Sequence, residues 1–136
     1  MPIVHTERLR VNWIDTDASG RIHYTAALRY FEVAEHGLMR ALFGVGGGPG
    51  NRSFSLPRVH VESDYKLALR YPDEFDCSAR VEKIGKTSAS YAYEIRNLAG
   101  EVAITGRIVV VATDAAGNKA PLPAEFRAGL ERAVAP

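Results

Sequence analysis

Between Tyr24 and Phe43 the apolar residues Leu28, Phe31, Ala34, Leu38, Ala41 and Leu42 recur at intervals of three and four. Arg29, Glu32, His36 and Arg40 fall on other faces, which is the spacing of an amphipathic helix. The rest of the chain is dominated by a different period. Residues 4–14 put Leu9, Val11 and Trp13 on one side and Arg8, Arg10 and Asn12 on the other, the alternation of a half-buried strand that ends near Asp15. Four further runs read as strands: 56–68 (Val59, Val61, Tyr65), 74–84 (Phe75, Cys77, Ala79, Val81), 87–96 (Ala89, Tyr91, Tyr93, Ile95) and 101–113 (Val102, Ile104, Ile108, Val110). One long helix with one apolar stripe must bury it on those strands, so the class is α+β.

Local punctuation supports these boundaries. Thr25 is placed to cap the helix start and Gly44 to end it. The segment GVGGGPGN that follows is too glycine-rich for regular structure; its Gly46-Gly47-Gly48 run lacks the lysine of a phosphate-binding loop and reads as a flexible connection or lid. Tyr71-Pro72-Asp73, Lys83 to Lys86 around Gly85, and Asn97 to Gly100 supply turns, so the last three strands form an antiparallel meander. The tail PLPAEFRAGLERAV reads as a short terminal helix. Either a five-stranded antiparallel sheet curls around the long helix, or the helix lies flat across an open sheet. Periodicity does not choose between them.

With 136 residues, 46% of them hydrophobic, the chain is expected to form one domain, residues 1–136, able to bury roughly two thirds of its unfolded surface without a staple. The lone Cys77 cannot form an internal bridge. Seventeen basic and sixteen acidic residues leave a net charge of +1, which gives no whole-molecule field for nucleic acid or membranes. No apolar run approaches the roughly 20 residues of a membrane span, and MPIVHTERLR lacks the apolar core of a signal peptide. A cytoplasmic location is the default.

The segment Asp15-Thr16-Asp17-Ala18-Ser19-Gly20-Arg21-Ile22-His23-Tyr24 joins the first strand to the helix. A carboxylate near a helix N-terminus sits by unpaired backbone N–H groups that favour its ionised form, and the same groups can donate to a carbonyl oxygen gaining charge. Acyl transfer needs both parts. An Asp-x-Asp followed by Gly is equally the make-up of an ordinary surface turn whose carboxylates bond their own backbone. A calcium loop is a poorer fit, because Ala18, Ile22 and Tyr24 offer no oxygen ligands of that kind.

The block VNWIDTDASGRIHYTAALRYFEVA resembles the N-terminal signature of the 4-hydroxybenzoyl-CoA thioesterase family, and LALRYPDEFD, VEKIGKTSASYAYEI and LPAEF are similar to its later segments, over most of residues 7–126. The resemblance implies a hotdog fold, the wrapped alternative, in homodimers or homotetramers with active sites at subunit interfaces. Open sheet edges call for a partner on physical grounds too. It also implies hydrolysis of an acyl-CoA or acyl carrier protein thioester, with Asp17 as nucleophile or general base and the backbone N–H of Tyr24 in the oxyanion hole. Asp15 is then structural. No metal is implied, and no cofactor beyond the coenzyme A that is part of the substrate.

Other residues are candidates for substrate contact. His23 stands where the family usually has an apolar or aromatic residue, and could line the acyl pocket, tune Asp17 or simply pack locally. Arg58 and His60, expected on one face of the second strand with Val59 and Val61 on the other, could reach the acyl group from a partner subunit or pair on the surface. Lys86, with Thr87 and Ser88, resembles the family's phosphate-contacting turn, though any exposed hairpin lysine would look alike; Arg70 and Arg107 are weaker candidates. Glu32 and Glu35 are rival acids on the helix, expected in solvated or interface roles, with His36 beside them. Tyr91 and Tyr93 read as core or interface. Two other functions stay open: a hotdog enoyl-CoA hydratase or dehydratase, for which a histidine or asparagine should stand where Ile22 does, and a non-catalytic acyl-CoA-binding protein.

Overall fold

The structure, a computed structural model, describes residues 2–44 and 53–134; the Gly46-Gly47-Gly48 run lies outside the described residues. In chain order the elements are β1 (Val4–Arg10), α1 (Ala26–Phe43), β2 (Arg58–Tyr65), β3 (Glu74–Ile84), β4 (Ser88–Asn97), β5 (Val102–Val111) and α2 (Ala124–Val134). The strands form one antiparallel sheet in the order β1-β3-β4-β5-β2, with the expected meander at its centre and β1 and β2 at its edges. The β4–β5 turn follows from its residues. The Asn97 carboxamide oxygen accepts the N–H groups of Ala99 and Glu101, and Gly100 takes the positive φ of 84° that the turn requires.

Side chains of α1 meet all five strands. Gly37 lies against His5 on β1, Tyr30 packs on Phe75 of β3, Phe31 stacks on Tyr93 of β4 and crosses Gly106 of β5, and Glu35 pairs with Arg58 of β2. The sheet therefore wraps the helix rather than lying flat beneath it. The apolar stripe of α1 is fully buried at Phe31, Ala34 and Leu38, among the inward residues Phe75, Cys77, Ala79, Ile95 and Ile104. Each large side chain so placed contributes about 1.5–3 kcal/mol by leaving water. Burial pushes the Cys77 thiol up to about 12, so it is a small core residue and no nucleophile. α2 closes one end: Phe126 stacks on Phe43, and the Arg127 guanidinium donates to the Gly85 carbonyl in the β3–β4 hairpin.

Three local expectations change. The first strand stops at Arg10 instead of running to residue 14, because Trp13–Asp15 form a 3-10 turn. The buried Asp15 carboxylate draws the chain into that turn by accepting the Asn12 N–H, and Trp13 is left 75% exposed, not on the buried side. The helix begins at Ala26 with Thr25 in the expected N-cap position, but the Thr25 hydroxyl makes no capping bond. In β2, a bulge at Val59 separates the pairs Arg58–Val110 and His60–Val109. The extra residue sends Arg58 to the helix side and His60 to the outer side, so the two do not share a face.

Candidate active site

The segment from Asp15 to His23 folds back on itself. Thr16 and Ile22 form an antiparallel bridge, the Asp17 N–H donates to the Arg21 carbonyl at 2.9 Å, and the His23 N–H donates to the Asp15 carbonyl at 2.7 Å. Gly20, at φ 83°, closes this miniature hairpin. By the alternation of the ladder, Asp17 and His23 lie diagonally on one face, while Thr16 and Ile22 lie on the other. The hairpin is pinned to the body of the protein by the Ile22 N–H, which donates to the Leu69 carbonyl at 3.0 Å, and by an Arg21–Arg70 bridge.

The two aspartates occupy opposite environments. Asp15 is buried, and its oxygens accept the Asn12 N–H at 3.0 Å, the Arg29 guanidinium at 2.8 Å and the Tyr30 hydroxyl at 2.8 Å. Burial alone would raise its pKa, but these three donors outweigh it and the carboxyl lies below its ordinary value. Asp15 therefore anchors the turn and has no oxygen open to a ligand. Asp17 is exposed. Its Oδ1 accepts the Ser19 hydroxyl at 2.6 Å and the Ser19 N–H at 2.8 Å, and no donor among the described residues takes Oδ2. The Ser19 bonds are the main reason its pKa is lowered, and the Arg21 charge acts in the same direction. The result is a permanently ionised carboxylate at neutral pH, braced on one oxygen and open on the other.

The chain entering α1 is held from two sides. The Tyr65 hydroxyl, from the end of β2, donates to the Tyr24 carbonyl. The Thr25 N–H donates to His23 Nδ1 at 3.2 Å, and the Thr25 hydroxyl is 2.7 Å from the same nitrogen, which explains why it does not cap the helix. The His23 carbonyl accepts the Ala26 N–H at 2.8 Å. The Tyr24 N–H between these anchored groups meets no acceptor among the described residues. The Tyr24 ring stacks on the His23 ring and is 70% exposed. Beside this entrance lies a cleft of about 250 Å³, lined by Arg21, Ile22, Tyr65, Lys66, Leu67, Ala68, Leu69 and Ile104, with an apolar floor and two cations on its rim.

The other candidates fall elsewhere. Lys86, Thr87 and Ser88 flank the β3–β4 hairpin, at the end of β3 remote from the Asp17 hairpin. Ten residue steps along β3 separate them, about 33 Å, so a single chain does not bring them to Asp17. Arg58 is at that same remote end, seven steps or about 23 Å along β2 from Tyr65. Its guanidinium donates bidentately to Glu35 at 2.8 and 2.8 Å, and the Tyr93 hydroxyl donates to Glu35 Oε1 at 2.7 Å. Glu35 is thus buried and paired, contrary to the solvated or interface role expected of it, whereas Glu32 is exposed. Burial and the adjacent carboxylate push the Tyr93 phenol far up, so it acts as a donor throughout. His60 bonds Glu62 at 2.9 Å on the outer face, where Arg107 is engaged by Glu62 and Glu82. Arg70 lies over Gly20 of the hairpin. Among the described residues no group of three His, Cys, Asp or Glu side chains comes together as a metal-ligand set, and no helix is long and apolar enough to cross a membrane.

Sequence reasoning did not pick out Ser19, Thr25 as a partner of His23, or Tyr65. The first two carried a signal, because Asp-x-Ser and His-x-Thr place a donor two residues from an acceptor. Tyr65 carried none, since it is 41 residues from Tyr24 in the chain.

A five-stranded antiparallel sheet wrapped on one long helix defines the hotdog fold, and solved structures of that class superpose over nearly the whole chain. A DHNA-CoA thioesterase from Staphylococcus aureus matches with a TM-score of 0.88 at 21% identity, covering 97% of this chain and 91% of that one. A 1,4-dihydroxy-2-naphthoyl-CoA thioesterase from Synechocystis matches with a TM-score of 0.80 at 19% identity, covering 98% and 99%. In sequence, an Aquifex aeolicus (strain VF5) protein named "Putative esterase" is 26% identical over 93 residues, 68% of this chain and 71% of its own length. The pattern of the Thioesterase-like superfamily matches residues 11–130, and the chain belongs to that superfamily.

Proposed function

We propose that the protein hydrolyses an acyl-CoA thioester to the free acid and coenzyme A, within the 4-hydroxybenzoyl-CoA type of the superfamily, with Asp17 as its catalytic carboxylate. The observation that carries this reading is the pairing of an ionised Asp17, open at Oδ2, with the unpaired Tyr24 N–H at the entrance to α1. The N–H, backed by the positive end of the helix, donates to the thioester oxygen as it gains charge. Asp17 Oδ2 either attacks the carbonyl carbon, giving a mixed anhydride that water then hydrolyses to release the acid and restore the carboxylate, or takes a proton from a water that attacks directly. The coenzyme A thiolate leaves without a strong acid. The apolar cleft beside Tyr65 takes the acyl group. An ordinary surface turn also gives the Ser19 bonds to Oδ1; the open Oδ2 and the unpaired N–H next to an apolar cleft favour the catalytic reading.

We propose a homodimer on the same geometry. β2 is an edge strand exposed over seven of its eight residues, with Val59 60% and Val61 45% accessible, which is an edge that calls for a partner. Antiparallel pairing of two β2 edges would bring the Arg58 and Lys86 end of one copy beside the Asp17 end of the other. Lys86, Thr87 and Ser88 could then meet the phosphates of coenzyme A bound to the neighbouring subunit.

The test is Asp17→Asn, assayed as thiol release from a panel of acyl-CoA thioesters. Turnover should fall by at least about a hundredfold while acyl-CoA binding persists. Unchanged turnover removes Asp17 from the mechanism, and hydration of crotonyl-CoA without thioester hydrolysis would replace the reaction itself. Binding without turnover by the native protein would favour the non-catalytic reading.

A further inference from the structure

We infer that His23 is a positioning residue that acts only in its neutral form: it fixes the entrance to α1 through Nδ1, and protonation releases that entrance and switches the site off. The inference rests on the reading of the Tyr24 N–H as the donor to the reacting carbonyl.

The geometry starts from a group whose role is unambiguous. The backbone N–H of Thr25 can only donate, and it points at His23 Nδ1 from 3.2 Å. Nδ1 must therefore be bare, and a neutral ring then carries its proton on Nε2. With Nδ1 bare, the Thr25 hydroxyl, 2.7 Å away, donates to it as well. Two donors from one residue thus converge on one nitrogen, two residues back in the chain. The opposite end of the same peptide unit, the Tyr24 carbonyl, is held by the Tyr65 hydroxyl. The Tyr24–Thr25 peptide is clamped at both ends, and the His23–Tyr24 peptide next to it, which carries the unpaired N–H, is clamped at its carbonyl by Ala26. The direction of the Tyr24 N–H is set by those clamps.

Protonation inverts one of them. An imidazolium has a hydrogen on Nδ1, which would face the Thr25 N–H, donor against donor. The Thr25 hydroxyl can rotate and accept; the backbone N–H cannot. The charged groups around the ring act in both directions. Asp17 lies diagonally across the hairpin and favours the imidazolium, while Arg21 on the same hairpin and the two Thr25 donors oppose it. Asp15, opposite His23 in the same ladder, already has its charge matched by Arg29, while Tyr65 of β2 holds the Tyr24 carbonyl and Lys66 lines the cleft beside the entrance. Tyr24, stacked on the ring at 4.5 Å, would move with it. Loss of the clamp alters the donor to the transition state, so it should appear in kcat more than in KM.

The test compares the full-length protein with His23→Asn and His23→Ala over pH 5 to 9. The amide oxygen of Asn can stand where Nδ1 stands and accept the Thr25 N–H, yet it does not titrate. The native enzyme should show an acid limb in kcat within that span. At pH 8, H23A should lose about tenfold in kcat, H23N should recover most of that loss, and H23N should lack the acid limb. An acid limb retained in H23N, or H23A equal to the native enzyme at pH 8, overturns the inference. A long-range proton–nitrogen NMR spectrum at pH 8 gives a readout independent of turnover. The Nε2–H tautomer of His23 is required, and an Nδ1–H tautomer overturns the inference even if the protein hydrolyses no thioester. Absence of hydrolysis by the native protein with the Nε2–H tautomer present would instead refute the proposed function alone.

Discussion

Removing Arg58 should destabilise the protein far more than neutralising its partner. The Glu35 side chain is 6% exposed and that of Arg58 33% exposed, so the two members of this pair have unequal access to water. In R58M the carboxylate loses both guanidinium bonds and keeps only the Tyr93 hydroxyl. A buried charge left in that state costs about 3–5 kcal/mol. In E35Q the amide still accepts the Tyr93 hydroxyl, and the guanidinium can turn to solvent, so the loss is about 1–2 kcal/mol. The double variant R58M/E35L removes both charges and fills the space with apolar atoms, which is close to neutral for many buried pairs. It should therefore be more stable than R58M alone, and that rescue separates an unpaired charge from simple loss of packing. The assay is guanidinium unfolding followed by far-UV circular dichroism at one protein concentration, because association shifts the apparent midpoint. The single tryptophan is a poor probe, since Trp13 is already exposed when folded. If R58M costs no more than E35Q, or if the double variant is no better than R58M, the unequal-burial argument is wrong.

Two other perturbations follow from specific contacts. Asp15 has a carboxyl held below its ordinary value of 3.8, so its stabilising contribution is complete above that pH and is lost as pH falls through the folded value. Asp15→Asn should cost about 2 kcal/mol at pH 7, with the deficit shrinking below pH 3.8, as read from unfolding at matched pH values. A methyl group at Gly106 would sit 2.3 Å from Phe31 Cε2. Gly106→Ala should cost about 1–3 kcal/mol by overpacking, and Phe31→Leu should recover part of that loss in the double variant, measured by thermal unfolding.

Most of the architecture was legible because the two periods are clean. The stripe Phe31, Ala34, Leu38 can only be helical, and Phe75, Cys77, Ala79, Val81 can only be a strand; the fully buried set contains both. Where the reading failed, a single buried group overrode the alternation. Trp13 continues the pattern of Leu9 and Val11, yet the Asp15 carboxylate pulls the chain into a 3-10 turn and leaves the indole outside. The bulge at Val59 is a similar case. Arg58 and His60 share a parity that the sequence shows, while the extra residue that turns Arg58 inward, where it pairs with buried Glu35, depends on tertiary contacts. The choice between a wrapped and a flat helix also depended on contacts between distant residues, such as Glu35 with Arg58.

The candidate site divides along the same line. Asp17, Ser19, His23 and Thr25 interact within a few residues of one another, and their types alone announce donors and acceptors at turn spacing. What spacing could not supply was which oxygen and which N–H remain open. The Asp17 carboxylate was expected beside the start of α1. Instead the chain turns back at Gly20, so that Asp15 pairs with His23 and the helix begins only at Ala26. The carboxylate therefore meets the entrance to the helix across a hairpin, not along a continuous turn. On the proposed reading this arrangement is what gives His23 and Tyr65 their importance: a donor in the segment before the helix, outside its regular hydrogen bonds, needs side chains to aim it, and these two hold the peptide unit next to the Tyr24 N–H.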